Sequence, residues 1–109
     1  MVTYADIYID SGADYSSIIN LFTLSYEEYE LFGQVRKSYT VPHILDLEFE
    51  PVEHFPNKAE ITVASTQTIS LKGGRYYYDI FVRNKINGRV QKIREGQAII
   101  SPSITDIIN

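Results

Sequence analysis

Arg75-Tyr76-Tyr77-Tyr78-Asp79-Ile80-Phe81-Val82-Arg83, followed by Asn87-Gly88 and then Arg89 to Ser101, is the stretch that decides the fold. Tyr76, Tyr78, Ile80 and Val82 fall on one face of an extended chain, and Tyr77, Asp79 and Phe81 on the other. This period of two belongs to a strand with one buried side. Gly73-Gly74 launches that strand, and Asn-Gly is a strong hairpin signal, because both central residues of a type I′ turn need positive φ. The sequence therefore predicts two long antiparallel strands in its second half. Ile93 is out of phase with Ala98 and Ile100, and a β-bulge at Gly96 would reconcile them.

The same alternation recurs upstream. Ala5, Ile7 and Ile9 oppose Tyr4, Asp6, Tyr8 and Asp10 in a strand of about seven residues, which ends at the turn Ser11-Gly12-Ala13-Asp14. Tyr15 to Thr23 has Ile19 and Leu21 on one side and Ile18 and Phe22 on the other, a pattern that suggests a central strand. Ser25-Tyr26-Glu27-Glu28-Tyr29 reads as a turn or one short helical turn leading into a strand at Leu31 to Arg36. Gly33 within that strand points to a bulge or a close backbone approach. Leu45, Leu47 and Phe49 alternate with Asp46, Glu48 and Glu50 until Pro51. Val52 to Asn57 reads as loop, and Ala59, Ile61 and Val63 as the inner face of a further strand. Ser65 to Ile69 is a short connection, and the tail from Ser103 to Asn109 is an eighth short strand or a flexible end.

Composition agrees with the pattern. Ile, Val, Thr, Tyr and Phe supply 43 of 109 residues, against 11 for Ala and Leu together, which argues against a helical bundle. The expected fold is all-β: a single antiparallel sandwich of about seven strands, or a sheet closing toward a small barrel, with residues 1–109 forming one domain. There is no Cys, so no disulfide or thiolate metal site exists. A net charge of −4 argues against nucleic acid as partner, and the longest apolar runs are far too short for a membrane helix. The first ten residues lack the basic start and apolar block of a secretory signal, so synthesis in a cytoplasm is expected.

Catalytic chemistry finds little support. His43 and His54 flank proline-containing breaks, and a metal enzyme would need them to converge with carboxylates such as Asp46 or Glu53. Two solvated imidazoles are the plainer reading. Asp46, Glu48 and Glu50 share a strand face, but successive residues on one face lie about 7 Å apart, and a charged outer face keeps a strand soluble. There is no nucleophile elbow, and Gly73-Gly74 lacks the sequel of a phosphate loop. The chain is read as a non-enzyme with no cofactor and no metal. Arg36, Asp79 and Arg94 are candidates for a cross-strand charge cluster.

The nine tyrosines, Tyr39 among them, are more informative, since they outnumber what a small core encloses with every hydroxyl satisfied. Tyrosine adds contact area at low entropic cost and is favoured at recognition surfaces. Tyr4, Tyr8, Tyr26, Tyr29 and Tyr77 are the candidate interface residues.

Ala5-Asp6-Ile7-Tyr8-Ile9-Asp10, then Gly33-Gln34-Val35-Arg36-Lys37-Ser38-Tyr39, resembles the opening of small β-sandwich proteins encoded among tailed-phage virion genes, including those of cyanophages. Leu71-Lys72-Gly73-Gly74-Arg75-Tyr76-Tyr77-Tyr78-Asp79-Ile80 resembles their Gly-Arg-Tyr strand. Asn87-Gly88, Arg94-Glu95-Gly96 and Ile100-Ser101-Pro102 are similar to their closing hairpin. The acidic, aromatic Tyr26 to Glu30 connection and the Val52 to Asn57 stretch depart from the pattern. The resemblance implies an immunoglobulin-like sandwich that serves as a structural or adaptor module of a virion, associated with tail, baseplate or fibre, whose partners are other virion proteins or further copies of itself. The competing function is a carbohydrate-binding module built on exposed tyrosines.

Overall fold

Alternation becomes sheet throughout the computed structural model, which describes residues 2–38 and 40–104. In chain order these form β1 (Thr3–Tyr4), β2 (Ile7–Asp10), β3 (Tyr15–Asn20), a 3-10 turn (Tyr26–Glu28), β4 (Tyr29–Arg36), β5 (Leu45–Val52), β6 (Phe55–Val63), a one-turn helix α1 (Ser65–Thr68), β7 (Gly74–Asn84) and β8 (Val90–Ser101). The fold is all-β. Tyr39 and the end of the C-terminal tail, from 105 onward, lie outside the described residues.

The strands follow one curled path, β1-β8-β7-β4-β5-β6-β3, with β2 also paired to β8. The curl comes from β5. Its first part pairs with β4 (Val35↔Leu45, Gly33↔Leu47), and its second part, from Glu48 to Val52, pairs with β6. One strand thus serves both walls of a half-barrel around a single core. Ile9, Val35, Ile61, Val63, Ile80 and Val82 are almost fully enclosed there. Gly33 lets the walls close: a Cβ at this position would sit 2.9 Å from Leu47 Cδ1 and 3.2 Å from the Asp79 carbonyl. Of the two alternatives read from the sequence, Gly33 is therefore a close approach.

Two tyrosines complete the core with their hydroxyls satisfied. Tyr76 Oη donates to the Lys72 carbonyl at 2.9 Å, and Tyr78 Oη to the Ala5 carbonyl at 2.5 Å. Burial pushes the Tyr78 hydroxyl above its ordinary pKa, against an opposing effect of Arg94, whose Nε lies 3.2 Å away.

Several expectations are corrected. The N-terminal strand is not antiparallel: β1 and β2 both run parallel to β8, in one register interrupted at Ala5–Asp6. There the Asp6 carboxylate accepts the Gln97 N–H at 3.0 Å in place of a ladder bond. A Cβ on Gly96 would fall on the Ala5 carbonyl, so this glycine serves that crossing, and the phase slip is instead taken up at Ile93, between the pairs Ile80↔Arg94 and Phe81↔Lys92. β3 is a terminal strand, not a central one, with Ile18 and Phe22 exposed. The Val52 to Asn57 stretch is a tight hairpin in which Val52 pairs with Phe55, and His54 takes the positive φ of 67° that the turn needs. The β7–β8 turn is not type I′, since only Gly88 has positive φ. The Asn84 side chain organises it by accepting the N–H groups of Ile86 and Asn87.

Candidate interaction face

Because β7 alternates, whatever does not enter the core is presented on the opposite face of β5-β4-β7-β8. The registers place the outward residues in cross-strand rows. Glu30, Arg83 and Val90 make one row, and Phe32, Phe81 and Lys92 the next. Asp46, Gln34, Asp79, Glu95 and Tyr4 make a third. Arg36, Tyr77 and Gln97 follow, and then Arg75, Ile99 and Tyr8. A shallow groove of about 670 Å³ runs across the middle rows, lined by Phe32, Gln34, Arg36, Asp46, Asp79 and Phe81 among others.

The electrostatics of the face are local. Arg83 pairs with Glu30 at 3.0 Å and lies over the Phe32 ring, 4.9 Å from its centroid. Lys92 sits 5.6 Å above Phe81 and 2.8 Å from the Glu95 carboxylate. That Lys92 bond holds the Glu95 carboxyl below its ordinary value, with the Tyr4 hydroxyl adding to the effect against a smaller opposing effect of burial. The exposed Arg83–Glu30 pair contributes little stability, so it sets the pattern of the face more than the fold. Gln34 bridges Asp46 and Arg36, at 3.2 Å to each.

Of the sequence-predicted interface residues, Tyr4, Tyr8 and Tyr77 come together on this face. Tyr4 and Tyr8 are 75% and 67% exposed, and Tyr77 is half-buried. Tyr26 is elsewhere: it packs against the core and donates its hydroxyl to the Phe49 carbonyl at 3.1 Å. Tyr29 is half-buried at the start of β4, opposite Asn84. Phe32 and Val90, both exposed, were missed by sequence reasoning, as was Phe81 as a contact residue. The signal was available in phase: Phe32 alternates with Leu31 and Val35, as Phe81 does with Ile80 and Val82.

The other candidates do not converge. His43 lies beside Asp46 at 3.4 Å and His54 beside Glu53 at 3.4 Å. They flank opposite ends of β5, whose eight residues span about 26 Å. Among the described residues no group of three or more His, Asp or Glu is placed to hold a metal ion. Arg36, Asp79 and Arg94 do not cluster. Arg36 donates to the Val41 carbonyl and to Gln34, while Arg94 turns to the inner side and Tyr78. No helix among the described residues is long and apolar enough to cross a membrane.

No family model and no curated protein matches the chain. Among solved structures it is similar to InlP of Listeria monocytogenes, with 18% identity and a TM-score of 0.53 over 89% of this chain. The match covers only 26% of that protein, so the likeness is to one portion of it and concerns the fold. Fainter likenesses are to the extracellular domain of the voltage-gated sodium channel beta4 subunit (16% identity, TM-score 0.49, covering 95% of this chain and 96% of that one) and to the NK cell receptor Nkp44 (11%, 0.47, 93% and 99%).

Proposed function

We propose that this chain is a non-enzymatic binding module of immunoglobulin-like sandwich type that acts by protein–protein contact through the outer face of β5-β4-β7-β8. The sandwich reading draws on Tyr76. In immunoglobulin-type domains a tyrosine near the start of a late strand bonds the backbone a few residues upstream, as Tyr76 does with Lys72. Two residues on, where antibody domains carry a cysteine, stands the buried Tyr78.

The observation that carries the contact reading is the gathering of Phe32, Phe81, Tyr77 and Tyr4 on one sheet face, interleaved with charged residues in ordered rows. Aromatic anchors beside arginine are the groups enriched at protein interfaces. A sugar platform needs open ring faces, whereas Arg83 lies over Phe32 and Lys92 over Phe81. At Phe32 and Phe81 the face therefore favours a protein partner over a glycan. The sequence resemblance supplies the setting: a structural or adaptor role in a phage-like virion, assembled after synthesis in the host cytoplasm, with other virion proteins or further copies of the chain as partners.

The test is a pairwise binding screen against the proteins encoded beside its own gene, run with wild type and with a Tyr77→Ser/Phe81→Ser double variant, alongside a glycan array. The expected outcome is a tail, baseplate or fibre component bound by wild type and lost in the variant. Binding to a glycan with no protein partner would reverse the choice.

A further inference from the structure

The two ends of the curled path are unlike. At one end, β1 and β2 are short, broken at Ala5–Asp6, and carry Asp6 and Asp10. Short, charged or interrupted edge strands discourage pairing with other chains. At the other end, β3 is continuous from Tyr15 to Asn20 (Tyr-Ser-Ser-Ile-Ile-Asn), with no charge and no proline. Among the described residues its paired strand is β6 alone.

Which backbone groups β3 turns away from β6 follows from its register. Just past the strand, the Leu21 N–H donates to the Asn57 carbonyl at 2.7 Å, in the same register that sets Asn20 against Lys58. Hydrogen-bonded pairs of an antiparallel ladder alternate, so Tyr15, Ser17 and Ile19 turn their N–H and C=O groups toward β6. Ser16, Ile18 and Asn20 turn theirs outward. Their side chains are exposed too, Ile18 at 57%.

We infer that β3 is a self-pairing edge: two copies of this chain join antiparallel through β3, about a two-fold axis at Ile18. This rests on the strand edge and is independent of the outer face described above. In that register Ile18 opposes Ile18 of the second copy, and Ser16 opposes its Asn20. Every outward N–H then meets an outward C=O, because the outward residues are symmetric about Ile18. The pairing also sets exposed Ile18 against its own equivalent. Charge permits it: β3 has none, and the nearest charged pair on the symmetry axis, Glu60 with its equivalent, is separated by three strand spacings, about 14 Å, beyond a Debye length of about 8 Å. An extended segment of another protein offers the same backbone groups but not this symmetric register.

The test is sedimentation equilibrium with amide hydrogen exchange over roughly 5 to 500 µM, a range suited to a weak association. Wild type should pass from monomer to dimer, and the amides of Ser16, Ile18 and Asn20 should slow at least ten-fold, while those of Ser17 and Ile19 keep their protection. Ile18→Lys, which places two ammonium groups on the axis, should stay monomeric. A chain that stays monomeric throughout overturns the inference. So does a dimer in which those three amides do not slow with concentration, a result that can be read on wild type alone should the lysine variant fail to fold.

Discussion

The inner and outer faces of β7 arise from the same eleven residues and obey opposite rules. Inward, Tyr76, Tyr78, Ile80 and Val82 are buried, and both tyrosine hydroxyls are tied to backbone carbonyls. Outward, Tyr77, Asp79, Phe81 and Arg83 touch one another's neighbours across strands and remain partly accessible. One residue of displacement along the strand separates a group that holds the fold from one available to a partner. Three consecutive tyrosines, Tyr76 to Tyr78, therefore have two different jobs, and substitutions on the two faces should separate stability from recognition.

The largest contrast is expected between Ile80→Ala and Phe81→Ala. Ile80 is fully enclosed, so its truncation should cost about 3 kcal/mol, enough to lower the Tm by some 12 °C or more. Phe81 is half-buried on the outer face and should cost about 1 kcal/mol or less. Equal losses by thermal denaturation would erase the distinction between the faces.

Tyr78→Phe comes next. It leaves the Ala5 carbonyl and Arg94 without the hydroxyl, at a cost of about 1 to 2 kcal/mol. Its pH dependence gives a further check. The folded state holds the Tyr78 proton more tightly than the unfolded chain, whose ordinary value is 10.0, so wild type should lose stability as pH rises above that value. The phenylalanine variant should show a shallower alkaline decline, and an identical slope would remove Tyr78 as its source.

Lys92→Met acts on the outer face at the acid end. Glu95 has a folded pKa below its ordinary 4.5, so its contribution is present above that value and is lost as pH falls through the lower, folded one. The drop in Tm between about pH 7 and pH 3 should be smaller in the variant than in wild type. The smallest effect belongs to Asp79→Asn, which should change stability by less than about 0.5 kcal/mol, since no ion pair among the described residues involves Asp79. A loss well beyond that would restore the charge cluster that the sequence suggested.

What could be read in advance was what alternation encodes. Ile7 and Ile9, Leu45 and Leu47, Ala59, Ile61 and Val63, and Tyr76, Tyr78, Ile80 and Val82 are inward in the structure as in the pattern. Alternation does not encode partners. Nothing near Ile7 announces a parallel pairing with Ala98, 91 positions away. Ile18 looked central because it is apolar, yet it lies on a terminal strand. The β-bulge expected at Gly96 lies at Ile93 instead: a glycine serves a bulge and a backbone crossing equally well, and only the position of Ala5 decides between them. For the candidate face, outward phase located Tyr4, Tyr8 and Tyr77, whereas Tyr26 lies in a connection where phase says nothing, and its hydroxyl is bonded to Phe49.

The central claim, that the outer face makes the contact while the inner face makes the fold, is tested most directly by titration calorimetry of the Tyr77→Ser/Phe81→Ser variant with the protein partner found among its gene neighbours. The account predicts binding at least about ten-fold weaker than wild type, with Tyr78→Phe binding as wild type does at a temperature where it remains folded. Undiminished affinity in the double variant, or a loss confined to Tyr78→Phe, would contradict it.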